Sequence, residues 1–259
     1  AKGIHPMVMA GKFPGYFDYG WGAIPYEIGG DEFRNAQYNY EPNIYLSEAY
    51  VTMLKRMEEF ARKDFFHPGT VSFDHTQSQM EFLQGKAAMI TNGTWIANEM
   101  KDVVPSDFDW GFMPFPGNNK GQKQVVLSRF GPDGFIWKNK PELNKKWAKE
   151  FNLWLLNLQL QKILAKNGAM PIRNDYPLTD DMQISPSLKV AMETIREKDI
   201  QVLYNAGQTA RTIQNAEMAK GSIVKRSNMI AIVTKKKTAE QAAKEMNDQY
   251  MKGLRAEKE

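Results

Sequence analysis

The chain has 259 residues, no cysteine, and 34 basic against 30 acidic residues, for a formal net charge of +4. The missing cysteines exclude a disulfide framework, a thiolate nucleophile and a cysteine zinc site, and three histidines (His5, His67, His75) argue against a His-rich metal centre. With 42% hydrophobic and 12% aromatic residues, the chain has the material for a real core, in one large or two small domains.

The longest apolar run, Met229–Val233, is far short of the ~20 residues that span a bilayer. The start, Ala1-Lys2-Gly3-Ile4, lacks the charged and apolar regions of a secretory leader. Taken alone that suggests a cytoplasmic protein, or a chain whose leader lies outside this sequence. The basic surplus is local. Lys220–Glu259 holds ten Lys/Arg and five Asp/Glu, and the rest is neutral within one charge. Lys235-Lys236-Lys237 reads as a solvated loop before a helix rather than a nucleic-acid patch.

Residues 13–45 are dense in Gly, Pro and aromatics without a helical period, which predicts loops with short extended pieces. Aromatics in loops either cap a core or present their faces to a ligand. Leu46, Tyr50, Met53, Leu54, Met57, Phe60 and Ala61 then recur at helical steps, with Ser47 as N-cap. A shorter helix is predicted over Thr76–Gln84, and a buried strand over Ala87–Thr91 running into the Asn92-Gly93 turn. Thr94–Met100 predicts a short helix.

Phe108, Trp110 and Phe112 alternate with polar or small neighbours and predict a strand, as does Gly134–Trp137. Pro141 opens a long helix striped by Trp147, Phe151, Trp154, Leu155 and Leu158, and a further helical turn ends near Asn167-Gly168. Helices are predicted over Ser187–Lys198, about Gln208–Lys220, and Thr238–Leu254. The last opens on the capping-box pattern Thr238-Ala-Glu-Gln241. Strands alternating with helices give an α/β class.

The run Phe82-Leu-Gln-Gly-Lys-Ala-Ala-Met-Ile-Thr-Asn-Gly-Thr-Trp95 resembles the F-x-x-G-K-A-A-M-x-x-x-G-x-W signature of family 1 extracellular solute-binding proteins. These are the carbohydrate receptors of ABC importers related to maltose-binding protein. Asp107-Phe-Asp-Trp-Gly-Phe-Met-Pro-Phe-Pro116, the helix Lys145–Leu164 and Asn167-Gly-Ala-Met-Pro-Ile-Arg173 are similar to the segments that follow in that family, in order. The resemblance implies a type II periplasmic-binding-protein-like fold of two α/β lobes with sugar in the cleft. The chain looks like the C-terminal two-thirds of such a protein, with most of the N-terminal lobe absent. By the same resemblance 1–112 and 172–259 form the C-terminal lobe, and 113–171 hold a crossing strand and an N-lobe remnant whose helix faces, with Trp147 and Trp154, would be exposed.

The resemblance further implies a sugar or oligosaccharide ligand and ABC permease subunits as partners. It implies an extracellular or periplasmic location, lipid-anchored on the outer face of the membrane, and no cofactor, metal or nucleic acid. Sugars are gripped by aromatic platforms and a few oriented polar groups. Trp95 matches the family's stacking tryptophan; the other reading is a core tryptophan packed on the next helix. Tyr16, Tyr19 and Trp21 align with a segment that supplies cleft aromatics, and Asp18 is either a hydroxyl acceptor or a turn residue. Arg129 and Asp133 flank the Ser128–Gly134 turn and would grip a polar ligand or form a local ion pair. Arg173 is either a ligand contact or a hinge salt bridge.

The competing class is a glycan-active hydrolase, which needs two carboxylates about 5–9.5 Å apart across the sugar. Asp18, Asp31, Glu32, Asp107 and Asp109 supply acids, but nothing marks a matched pair. There is no G-x-S-x-G, H-E-x-x-H or Walker pattern.

Overall fold

The computed structural model describes residues 3–13, 15–115, 123–128, 136–171, 173, 184–197, 199–204 and 208–257. It divides into two compact units: unit 1 is Ala1–Asn92, Pro114–Leu127 and Lys198–Glu259, and unit 2 is Gly93–Met113 and Ser128–Glu197. These cuts differ from the boundaries at 112 and 171 that the resemblance implies. The difference arises because Thr94 and Asn98 hydrogen-bond to the Gly168 and Lys166 carbonyls, at 2.7 and 2.9 Å, which ties 93–113 into unit 2.

Unit 1 opens on strand β1 (His5–Val8). A tight turn leads into helix α1 (Gly15–Gly20), a 3-10 turn over Trp21–Ala23, and helix α2 (Ile24–Tyr38). Helices α3 (Glu48–Arg62) and α4 (His75–Leu83) follow, then strand β2 (Ala87–Ile90). β2 pairs in parallel with β1, His5 opposite Ala87 and Met7 opposite Met89, so the four helices form the crossover between parallel strands. On the other side of β1, the Met7 N–H donates to the Phe65 carbonyl at 3.1 Å and its carbonyl accepts from His67 N–H at 2.7 Å.

The segment 13–45, predicted as loops, is therefore largely helical. Its aromatics face inward: Phe17, Trp21, Ile24 and Phe33 are all buried. Pro25 stands in the first turn of α2, where its missing N–H is harmless. Gly29 leaves room for Phe33 and Ala49, and Gly30 bends α2 with a left-handed φ of 52°. The glycines and proline that read as loop punctuation are fitted to a kinked helix.

The cap predictions hold. The Ser47 side chain accepts from Tyr50 N–H at the head of α3, and an unanticipated Asp74–Gln77 capping box starts α4. A second sheet pairs β3 (Gln124–Ser128) with β4 (Ile200–Tyr204). Unit 1 ends with helices α9 (Ala216–Val233) and α10 (Ala239–Arg255), the latter on the predicted Thr238–Gln241 box. α9 corrects the helix expected over Gln208–Lys220. Asn215 caps it through Met218 N–H, and it runs on through the charged Lys225 and Arg226 to bury Met229 and Ile232. These residues join Met53, Leu54, Met57, Phe17, Trp21 and Met246 in one core.

Unit 2 carries short helix α5 (Ile96–Glu99), then α6 (Glu142–Trp154), α7 (Leu158–Lys166) and α8 (Pro186–Thr194). Asn157 caps α7, which ends as predicted at Gly168, in the left-handed region at φ 82°. Phe108–Phe112 do not form a strand. Residues 108, 110 and 112 are half-buried while 109 and 111 are exposed, so the alternation persists without a partner ladder. Of the expected strand Gly134–Trp137, Ile136 and Trp137 are in no strand and 134–135 lie outside the described residues. No helix is long and apolar enough to cross a membrane among the described residues.

The unit 2 core is small, built on Ala165, Leu188 and Met192, and α6 buries no residue. Its apolar stripe faces outward instead: Trp147 is 63% exposed, Phe151 57% and Trp154 55%. So large an open aromatic face is rare on a soluble surface. An environment-sensitive apolar dye should therefore bind the folded chain, and Trp147→Glu with Phe151→Glu should remove most of its fluorescence while circular dichroism stays unchanged. Dye fluorescence unaffected by the pair would mean that the face is covered in solution.

Candidate functional site

Two aromatic elements stand out, one in each unit. In unit 2, Trp95 follows Gly93 by two residues and caps the N-terminus of α5. Its indole lies flat across Gly93: a Cβ built on Gly93 would fall 1.9–2.2 Å from three of the ring's carbons. The glycine of the G-x-W motif is thus the seat of the ring. The loop is braced from three directions. Thr94 Oγ1 donates to the Gly168 carbonyl at 2.7 Å, Ser187 Oγ donates to the Thr94 carbonyl at 2.8 Å, and Asn98 Nδ2 donates to the Lys166 carbonyl at 2.9 Å. Gly168 fits against the Thr94 carbonyl and the Trp95 Cα, where a Cβ would come within 3.0 Å. Trp95 remains 38% exposed, so its ring is held from below and open from above.

In unit 1, Tyr16, Asp18 and Tyr19 lie on α1. The Tyr16 ring meets the Tyr19 ring edge-on at 5.0 Å and the His75 imidazole at 4.7 Å; Tyr16 is buried, and Tyr19 is 40% exposed. Asp18 is paired with Lys225 of α9 at 2.6 Å. Burial works against the Lys225 charge, but its electrostatic partners Tyr50, Asp18 and Tyr45 outweigh it and hold the ammonium above the usual lysine range. The Asp18 carboxylate is neither a turn residue nor a lone acceptor; it is half of a partly buried ion pair.

Trp21 is not a platform. It is 2% exposed, enclosed by Phe60 at 5.5 Å, Phe66 at 5.9 Å and Phe115 at 4.5 Å between ring centroids. A ring so enclosed has no face to offer a ligand. Arg173 of unit 2 donates to the Leu156 carbonyl at 3.3 Å and is half-buried. Arg129 and Asp133 lie outside the described residues. The sequence reading missed Lys225, which reaches Asp18 from the far end of the chain, and passed over Phe13 and His75 as loop residues.

His67 is occupied structurally. Its Nδ1 accepts from Gly69 N–H at 3.1 Å, its Nε2 lies 3.2 Å from Glu81, and burial, opposed by Glu81, keeps the imidazole below its ordinary pKa. Among the described residues no three His, Asp or Glu side chains come together as a metal site.

The layered helices and parallel strands define an α/β protein of the type II periplasmic-binding-protein class, and the solved structures it resembles have that fold. A chitin oligosaccharide binding protein superposes with a TM-score of 0.69 at 16% identity, covering 97% of this chain and 61% of that one. A Streptococcus pneumoniae solute-binding protein, solved with the blood group A-trisaccharide, gives 0.67 at 16% identity, covering 96% of this chain and 59% of that one. The chain belongs to the bacterial extracellular solute-binding protein family, whose description it matches over residues 9–190. The diacetylchitobiose binding protein NgcE of Streptomyces coelicolor is 32% identical over 87 residues, which cover 33% of this chain and 19% of NgcE. The chain thus spans about three-fifths of the length of these solved relatives.

Proposed function

We propose that the chain is the larger part of a carbohydrate receptor that delivers a sugar or oligosaccharide to an ABC importer and performs no covalent chemistry. The observation that carries this reading is the Trp95 indole, fixed on Gly93 with one face open. Such a ring presents an apolar plane to the C–H face of a pyranose, the contact aromatic sugar sites are built on. Membership of an extracellular solute-binding family supports it, as do relatives described as binding chitin oligosaccharides, diacetylchitobiose and a blood-group trisaccharide.

In this reading unit 1 belongs to the C-terminal lobe and α6 and α7 to the N-terminal lobe. Tyr16, Tyr19 and Trp95 contribute ring contacts, Asp18 and Arg173 polar ones, and Arg129 and Asp133 stand in the turn between lobes. Ligand shifts the open–closed equilibrium only by its differential affinity for the closed form, and the closed form is what permease subunits at the membrane receive. The protein works outside the cytoplasmic membrane, held there by a lipid anchor or free in the periplasm.

The test is a titration of intrinsic tryptophan fluorescence with chito-, malto- and xylo-oligosaccharides, the sugar being recovered afterwards for analysis. A saturable change that disappears in Trp95→Ala, with the sugar intact, is the expected result. Shortened sugar would make the protein a hydrolase, and silence across the whole panel would remove the carbohydrate reading.

A further inference from the structure

Unit 1 carries a run of four contiguous rings that only partly coincides with the residues named so far. Phe13 lies against His75 at 4.3 Å between centroids, His75 against Tyr16 at 4.7 Å, and Tyr16 against Tyr19 at 5.0 Å. The two end rings are open, Phe13 at 46% and Tyr19 at 40%, while the middle of the run is packed. Exposed aromatics are ordinarily scattered and mobile; these are fixed by their backbone.

Gly11 N–H donates to the Thr70 carbonyl at 2.8 Å and Lys12 N–H to the Phe73 carbonyl at 3.0 Å, which bolts the Phe13 turn to the segment that carries His75. The approach is so close that a Cβ on Gly11 would lie 2.4 Å from the Thr70 carbonyl oxygen. Phe13 N–H donates to Ala10 and Tyr16 N–H donates back to Phe13, closing the turn onto α1. The Asp74–Gln77 capping box fixes the first turn of α4, and with it His75. The side chains on either side of the run are already neutralised. Lys12 faces Asp74 at 4.0 Å by the Phe13 end, and Asp18 of α1 is paired with Lys225 at 2.6 Å.

We propose that the run Phe13–His75–Tyr16–Tyr19 is a stacking shelf for an uncharged pyranose unit of an oligosaccharide, with Phe13 and Tyr19 as its open faces. The assignment rests on the carbohydrate reading and adds to it a second aromatic element and a ligand charge. Rings pre-set by backbone hydrogen bonds cost little ordering entropy on binding, and flanking charges that cancel in pairs offer hydroxyl hydrogen bonds without favouring an anionic or cationic sugar.

Three histidines make the shelf directly observable. The imidazole C–H resonances of the whole chain comprise at most three sets, assigned by His5→Gln and His75→Gln. They are followed during titration with N,N′-diacetylchitobiose and with maltotriose, alongside tryptophan fluorescence. With either sugar, the His75 signals should shift saturably while those of His5 and His67 stay fixed. Phe13→Ala, at an exposed position, should weaken binding about tenfold, and Phe13→Tyr should restore it. A saturable tryptophan response with unmoved His75 signals, or with Phe13→Ala binding as wild type, overturns the shelf and leaves the carbohydrate reading standing. No response of either probe to either sugar overturns both.

Discussion

Trp21→Ala should destabilise unit 1 by about 3–5 kcal/mol, the range for emptying a large aromatic site in a packed core. The indole is 2% exposed and touches rings from three separate parts of the chain: Phe60 on α3, Phe66 beside β1, and Phe115. No single neighbour can relax into the space, because each is held by its own element, so much of the cavity term persists. In thermal unfolding this corresponds to a fall in Tm on the order of 10 °C. Trp21→Phe separates packing from polarity. It keeps a ring in the site and removes an indole N–H that has no hydrogen-bond partner among the described residues, so it should recover more than half of the loss. Were Trp21 the sugar platform that its place in the aromatic segment suggested, Trp21→Ala would lower sugar affinity with little effect on Tm. Chemical denaturation of the two variants decides between these outcomes.

That residue also marks where the sequence stopped being legible. The amphipathic helices could be read because their information is local. α3, α4, α7 and α10 each show a helical apolar period or a capping pattern, and the observed caps at Ser47, Asn157 and Thr238 are side chains bonding to backbone three residues on. Segment 13–45 could not be read that way. Its glycines serve contacts made later in the chain: Gly20 leaves room for Phe115 and Thr91, and Gly29 for Ala49. Only the packed structure distinguishes such glycines from turn glycines.

α9 failed for a related reason. Its buried positions, Asn228, Met229 and Ile232, come late, and Lys225 owes its place to Asp18 rather than to any helical stripe. Phe108–Phe112 shows the converse. The alternation was real, but alternation implies a strand only when a neighbouring strand is there to pair with it.

At the candidate site, motif and geometry agree on one residue and part on another. Trp95 and Trp21 were both aromatic, both next to glycine, and both carried over from the resemblance. What separates them is which face the fold covers. The first is seated on a glycine and left open; the second is enclosed by three rings. Phe13 and His75 had no motif to announce them, and they meet because the turn after β1 is hydrogen-bonded to the segment before α4.

Gly93→Ala should then act on the ring and not on the fold. The φ of Gly93 lies outside the left-handed region, so alanine takes its backbone without strain, and the added methyl meets nothing nearer than the Trp95 ring, at 1.9 Å. A side chain can swing where a backbone cannot. The variant should keep its stability within about 1 kcal/mol, since removing a glycine also narrows the unfolded ensemble. The indole, however, must leave its seat. If the open face of Trp95 is the sugar platform, affinity should fall about tenfold or more, the scale of losing one aromatic stacking contact, and Trp95 emission should change before any sugar is added. The decisive comparison is the double variant. With the ring already removed by Trp95→Ala, adding Gly93→Ala should change affinity no further, so the two losses should overlap rather than add. Additive losses would assign Gly93 a ligand contact of its own. Wild-type affinity in Gly93→Ala would mean that the seated ring is not what the sugar meets.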